Sequence, residues 1–362
     1  MELTVLSVAS PFAVLDPESE GAAGQVVSAV DAALVRAGHR SLVVAPEGST
    51  VAGTLLSMPR VHGSQLAGSQ QGRGLDARAR AVVMRRVAAM VAAAVEQHRV
   101  DIVHLHVDDF TAVLPPSGPP VLVTLYEPLD RYPAEALRPS RPGTHLLGVS
   151  AAQTRAAPPD VALLPPVEVG VAVDKLHIRV PKRRFAVCMG SIERNNGFHI
   201  ALDAAREIDI QLLLGGELSR SPDEQAYLQE EIRPRLDTKR RFLGQVGFGR
   251  KRWMLGAARC LLAPSLIPEI TALPALEALA CGTPVVAFPA GALADIVEPG
   301  VTGYLVKDAA DMAQAIEACE TLDPDACRAV ARARYSLDGM SERYLTLYDD
   351  ILMGKERAAV VA

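Results

Sequence analysis

Short apolar strands alternate with helix-forming runs twice along this chain, and a proline-rich stretch separates the two series. In the first series Leu3–Ala9, Ser41–Ala45, Asp101–His106, Val121–Leu125 and Leu146–Ser150 read as strands. Helices over Ala23–Ala37 and Asp76–His98 fall between them. The second series opens with the strand Phe185–Gly190. It continues with helix Gly197–Glu207, strand Ile210–Leu214, helix Asp223–Leu236, strand Arg241–Gly244, helix Lys251–Ala258 and strand Cys260–Ala263. Alternation of this kind implies parallel sheets with helices on both faces. Prolines at 158, 159, 165 and 166 break the pattern, and 157–184 carries little regular structure, so this stretch reads as the approach to a hinge. A last helix is expected over Ser336–Met353. The boundaries are an N-terminal domain over 1–170, a C-terminal domain over 171–335, and the helix from about 336 to 362.

Composition narrows the partners. With 362 residues and 49% hydrophobic content, the chain has enough apolar material for two cores. A net charge of −5 argues against nucleic acid held on a broad basic surface. No 18-residue apolar run spans a membrane. The helix carrying Arg78, Arg80, Arg85 and Arg86 is basic, but its apolar residues are mostly Ala and Val without an aromatic anchor, so membrane association is not expected. Residues 1–8 begin a strand and have no basic leader, and the five cysteines show no ligand spacing. A cytoplasmic protein without a metal cage is expected. Asp323-Pro324-Asp325, the sole Asp-x-Asp, reads as a helix N-cap.

Chemistry concentrates around two glutamates. The strand Cys260–Ala263 ends at Pro264 and Ser265, which places Glu269 in a loop. Pro274 suits the first turn of a helix, Glu277 lies about one turn further in, and Gly282-Thr283-Pro284 ends the helix before Val285-Val286-Ala287-Phe288 begins the next strand. One carboxylate thus stands before a helix N-terminus and one just inside it. Unpaired amides and the positive end of the helix dipole lie between them. The arrangement suits a phosphate flanked by sugar hydroxyls, the layout of a nucleotide sugar.

The run from Pro264 to Val306 resembles the E-x7-E core of the family 4 retaining glycosyltransferases, and the likeness extends over nearly the whole chain. It implies the GT-B fold: α/β, two facing Rossmann-like domains with an interdomain cleft, the last helix crossing back to the first domain. It also implies roles. Glu277 takes the ribose, and Glu269, as a catalytic residue, faces the donor sugar. The amides around Ile270–Leu273 and the Thr271 hydroxyl receive the diphosphate, although Thr271 also reads as a plain N-cap. Gly190, Ser191, Arg194 and Asn196 form the loop after the first strand of the second series. Ser191 and Asn196 replace the family's Arg and Lys, so the diphosphate clamp has lost two charges. Arg194 is the cation left in that loop, with Arg183, Arg184, Arg250 and Lys251 ranked as solvated alternatives. In the first domain, Gly21 and Ala22 stand where the family has Gly-Gly, and they read either as acceptor contacts or as a turn feeding a helix. His106 matches the family's active-site histidine, while His104 reads as structural. Asp108 and Tyr126, which stands where relatives often carry His, are expected at the acceptor. Val169 replaces a customary Asn.

The resulting expectation is a retaining, metal-independent, hexosyl-type glycosyltransferase. It moves a sugar from a UDP-sugar or GDP-sugar, with no other cofactor, to a small soluble, specialised-metabolite acceptor. Front-face displacement, implied by the resemblance, requires no enzyme nucleophile. Two alternatives remain open: a degenerate member that binds nucleotide sugars without transfer, and a GT-B sugar-nucleotide epimerase.

Overall fold

The computed structural model describes residues 2–16, 21–60, 77–218 and 221–355. The chain divides into two units, residues 1–169 with 337–362 and residues 170–336.

The first unit holds seven strands: β1 (Thr4–Val8), β2 (Arg40–Pro46), β3 (Thr54–Met58), β4 (Ile102–Leu105), β5 (Val121–Leu125), β6 (Thr144–Gly148) and β7 (Leu163–Leu164). They pair in the order β3-β2-β1-β4-β5-β6-β7, parallel throughout. The central strands are continuous runs of buried Val, Leu and Ile, as a parallel sheet covered on both faces requires. Helix α1 (Ala22–Arg36) buries Val26, Val27, Val30 and Leu34. Helix α2 (Ala77–Gln97) buries Met84, Val87, Val91 and Ala94, a stripe at helical spacing, while Arg78, Arg85 and Arg86 stay exposed. A third, short helix α3 (Ala151–Arg155) follows β6. Ser150, expected inside the β6 strand, instead caps α3 by accepting from the Gln153 amide at 3.2 Å.

The second unit holds β8 (Phe185–Met189), β9 (Gln211–Gly215), β10 (Arg240–Phe242), β11 (Cys260–Ala263), β12 (Val285–Ala287) and β13 (Gly303–Leu305). Their order is β10-β9-β8-β11-β12-β13, again all parallel. Its helices are α4 (Val173–Leu176), α5 (Phe198–Glu207), α6 (Pro222–Tyr227), α7 (Phe248–Ala257), α8 (Leu273–Ala280), α9 (Leu293–Ile296), α10 (Ala309–Ala318) and α11 (Pro324–Tyr335). The expected single helix over 223–236 is broken. α6 passes into a π-turn over Leu228–Ile232 and then a 3₁₀ turn over Arg233–Arg235. Pro234 has no N–H to continue the ladder. Asp323 caps α11 through the Asp325 amide at 2.9 Å, as its sequence position implies.

The last helix, α12 (Leu337–Leu352), belongs to the first unit. It buries Tyr344 and Tyr348 completely. The Tyr348 hydroxyl lies 2.7 Å from His104 Nδ1, and the opposite ring nitrogen lies 2.8 Å from Thr124 Oγ1. This one imidazole therefore pins the chain's final helix to β4 and β5. In Tyr348→Phe the buried nitrogen loses its partner, so the first unit should lose about 1–3 kcal/mol. A lowered urea midpoint for the transition of that unit is the expected result, and an unchanged midpoint would contradict the anchoring role.

Candidate functional site

In both sheets the strand order reverses beside the first strand. β1 lies between β2 and β4, and β8 lies between β9 and β11. Loops that leave neighbouring strands in opposite directions open a crevice at the carboxyl ends, where ligands bind in such sheets. The candidate residues of the second unit gather at the β8/β11 reversal.

After β8 the chain turns at Gly190 and closes a small loop, with Asn196 Nδ2 donating to the Ser191 carbonyl at 2.8 Å. Gly197 ends this loop at φ 65°, so close to the next strand that a Cβ would sit 2.1 Å from the Pro264 oxygen. The Leu266 amide donates to the Asn195 carbonyl at 2.7 Å, which ties the β8 loop to the β11 loop. Glu269 is clasped from the other side. Its amide donates to Ala290, and its carbonyl accepts from the Ala292 amide at 2.8 Å. Gly291, at φ 60°, is required between them because a Cβ there would fall 2.2 Å from the Glu269 oxygen.

A cavity of about 170 Å³ results, lined by Gly190, Asn196, Ser265, Glu269, Ala272 and Pro274 among others. Burial raises the Glu269 carboxyl above its usual range. A hydrogen bond from Ser265 opposes this, and the nearby Glu193 charge adds to it. The N-cap of α8 is Ala272, not Thr271, and Ala272 holds the left-handed conformation (φ 46°) without a side-chain cap. The N-cap reading of Thr271 is therefore corrected; its half-buried hydroxyl precedes the cap by one residue. Leu273 and Pro274 form the first turn, as the sequence implies. Among the described residues no carbonyl accepts from the amides of residues 270–273.

Two cations differ from their expected places. Lys251, ranked as solvated, is half-buried on α7, with its Nζ 2.6 Å from Glu277 Oε1. Glu277 is 7% exposed and faces this ammonium rather than the Glu269 cavity. Arg194 does not line the cavity. Its guanidinium lies over the Tyr227 ring at 5.2 Å and 3.4 Å from Glu231. Arg183, Arg184 and Arg250 are exposed. Ser191 stays half-buried at the loop's start.

In the first unit the candidates gather at the β1/β4 reversal. His106 follows β4, and its Nδ1 lies 2.8 Å from the Tyr126 hydroxyl. Its Nε2 is buried with no hydrogen-bond partner among the described residues. Burial brings its pKa down to about 3, and burial with the neighbouring His106 holds His104 low as well. Burial also pushes the Tyr126 phenol up, helped by Tyr344, Tyr348, Tyr132 and Asp108. Asp108 is half-buried in the turn after His106, and the next residue, Asp109, pairs with Arg80 of α2. That arginine also lies over Phe12 at 5.1 Å. Gly21 is the N-cap of α1 at φ 99°, with Ala22 the first helical residue. Residues 17–20 of this loop lie outside the described residues.

Sequence reasoning ranked Lys251 as solvated and gave Ser265 and Arg80 no place in the site. Ser265 was readable as the polar residue ending β11; the other two meet partners distant in sequence.

Comparison with known proteins fits this geometry. Residues 183–321 match the family described as glycosyl transferases group 1. An alpha-maltose-1-phosphate synthase of Mycobacterium tuberculosis is 31% identical over 162 residues, 42% of this chain and 40% of that protein. A phosphatidyl-myo-inositol mannosyltransferase of Mycobacterium leprae is 29% identical over 187 residues, 47% of each chain. The chain thus spans less than half the length of these curated relatives. Solved structures extend the likeness to both units. AviGT4, a glycosyltransferase of avilamycin A biosynthesis, superposes with a TM-score of 0.69 at 23% identity, covering 97% of this chain and 98% of its own. Sucrose-phosphate synthase of Thermosynechococcus elongatus gives 0.72 at 17% identity, covering 98% of this chain and all of its own. HepE of Anabaena in complex with UDP-glucose gives 0.70 at 16% identity, over 96% of this chain and all of its own.

Residues 183–321 thus resemble the group 1 glycosyltransferases, and the fold is GT-B. The matched segment contains the whole Glu269 cavity, while His106 and α12 lie outside it. Among the described residues no helix is long and apolar enough to cross a membrane.

The buried histidines make the first unit sensitive to acid. Both are neutral when folded, with pKa values below the 6.5 of an exposed imidazole. Their contribution is complete above that value and is lost as the pH falls below it, for His106 down to about 3, because the unfolded chain binds the protons first. The slope is about 1.4 kcal/mol per pH unit for each ring. Urea midpoints measured from pH 7 to pH 5 should fall accordingly, and His106→Asn should roughly halve the slope. A flat profile would exclude buried neutral rings.

Proposed function

We propose that this protein is a retaining, hexosyl-type glycosyltransferase. It transfers a sugar from a nucleoside diphosphate sugar to a small soluble acceptor, without a metal. The observation that carries the reading is the half-buried Glu269 carboxyl in the cavity at the β8/β11 reversal, beside the amides of residues 270–273, from which no carbonyl accepts among the described residues. A departing diphosphate gains charge as the glycosidic bond breaks, and fixed amide dipoles aimed at it stabilise that charge. Glu269 holds a hydroxyl of the donor sugar. In the first unit His106, with its unpartnered Nε2, is the candidate catalytic residue. Gly21, Ala22, Asp108 and Tyr126 serve the acceptor. UDP-hexose is the favoured donor, since HepE was solved with UDP-glucose. Lys251, beside Glu277, takes over the positive charge that Ser191 and Asn196 do not provide. Glu277 shares the ribose hydroxyls with that ammonium.

One observation favours a second reading, a family member that binds the donor without transferring it. Arg194, the loop's own cation, is turned to Glu231 and Tyr227. Glu269→Gln separates the two. In the transfer reading it keeps its affinity for UDP within about twofold while sugar transfer, assayed in EDTA, falls by at least about a hundredfold. Absence of turnover in the parent protein across UDP- and GDP-hexoses with diverse acceptors would favour the binding-only member.

Glu277→Ala should weaken binding of the nucleoside diphosphate by about 1.5–3 kcal/mol, the worth of hydrogen bonds to a charged group. Calorimetry measures this directly. Equal affinity in parent and variant would confine Glu277 to its pairing with Lys251.

A further inference from the structure

The second unit has a larger cavity that the reading above does not use. It measures about 330 Å³ and is lined by His177, Arg179, Lys182, Gly256, Pro324 and Arg328 among others. Its volume falls at the lower end of the range of about 300–1,000 Å³ that small-ligand pockets occupy. The wall precedes β8, and Thr283, which contacts it, precedes β12. This cavity therefore lies at the strand beginnings, the edge opposite the Glu269 cavity. The four basic residues also lie outside the segment 183–321 that matches the family.

Its charge is one-sided. Arg179, Lys182 and Arg328 are cations, and His177 adds an imidazole whose Nδ1 is buried with no hydrogen-bond partner among the described residues. The carboxylate of Asp325 is felt by His177 and Arg179, but it is largely exposed and paired first with Arg328, at 2.6 Å. Asp323 is occupied as the cap of α11. Among the described residues Lys182 forms no ion pair; its ammonium donates to the fully buried Thr283 hydroxyl. Burial holds its pKa down at about 8, so it still carries its proton at neutral pH. Lys182 is exposed as a residue, and its ammonium faces no carboxylate among the described residues, so an anion entering the cavity would complete the cluster. The space itself depends on Gly256, where a Cβ would meet Ile178 at 2.5 Å and push the 178–180 segment inward.

The geometry points to a second ligand site here, one that takes a phosphomonoester borne on a small organic molecule. Lys182 and Arg179 bind the phosphate oxygens, His177 Nδ1 meets a further polar atom, and the Ile178–Val180 side covers the carbon skeleton. Guanidinium and ammonium groups together suit a dianionic phosphate.

Calorimetry on the full chain tests this with glucose 6-phosphate as the probe and with inorganic phosphate and glucose as separate arms. Saturable one-to-one binding of glucose 6-phosphate is expected, about tenfold weaker binding of inorganic phosphate, and none of glucose. Lys182→Met and Arg179→Met should each weaken the probe by about tenfold, the loss of one charge-assisted contact. Glu277→Ala, at the opposite edge, should leave it unchanged. Arg179 is exposed and forms no ion pair among the described residues, so its variant stays folded even if Lys182→Met does not. The site is refuted if the probe does not bind, or if it binds equally well to both variants. Loss of binding in Glu277→Ala would instead assign the probe to the donor site. Equal affinity for inorganic phosphate would overturn the organic part of the assignment.

Discussion

All strands in both sheets run parallel, so every strand-to-helix loop in a unit leaves from the same edge. That constraint decides where chemistry can be assembled. A parallel neighbour needs a crossover, in most cases a helix that starts just beyond the strand's carboxyl end, although β2 passes to β3 through a loop alone. Each sheet reverses direction once beside its first strand, and there the loops diverge. His106 in the first unit and Glu269 in the second stand at those two reversals. Neither position depends on the details of the chain's surface; both follow from the order in which the strands are laid down.

Within the second unit the precision comes from backbone rather than side chains. Glu269 is fixed by amide and carbonyl bonds to residues 290 and 292, with a glycine between them because nothing larger fits. Ala272 then takes a left-handed conformation, which costs an L-residue roughly 1–2 kcal/mol. Strain of this kind at a loop-to-helix junction orients the amides of the first turn and holds the carboxylate still. The resulting environment is dry enough to raise the Glu269 pKa, a mark of sites where a carboxyl group meets substrate.

Much of this was legible in the sequence because apolar strands and helix stripes have periods that composition cannot mimic. The Glu269–Pro274–Glu277 spacing also placed a carboxylate before a helix and one inside it. Three strands escaped notice. β7 has two residues and β13 three, too short for any period, and β3 carries Thr54 and Ser57 among its apolar positions. Ala272 was invisible as a cap, because alanine rarely signals positive φ. Lys251 and Glu277 lie 26 residues apart on different helices, and only packing brings them together. Arg194 looked available because its loop lacks acids beyond Glu193. Its partners, Tyr227 and Glu231, come from a helix whose π-turn widens it just there.

The Lys251–Glu277 pair also has a consequence for ionic strength. A site built from bare cations gathers counterions that a ligand must displace, so its affinity falls steeply with added salt. Here the ammonium already faces a carboxylate in a half-buried setting, and salt finds little net charge to screen. Under the proposed reading, a diphosphate arriving at this place would exchange one partner for another instead of discharging a positive surface. Recognition would then rest on geometry at short range, without a positive field that draws every other anion.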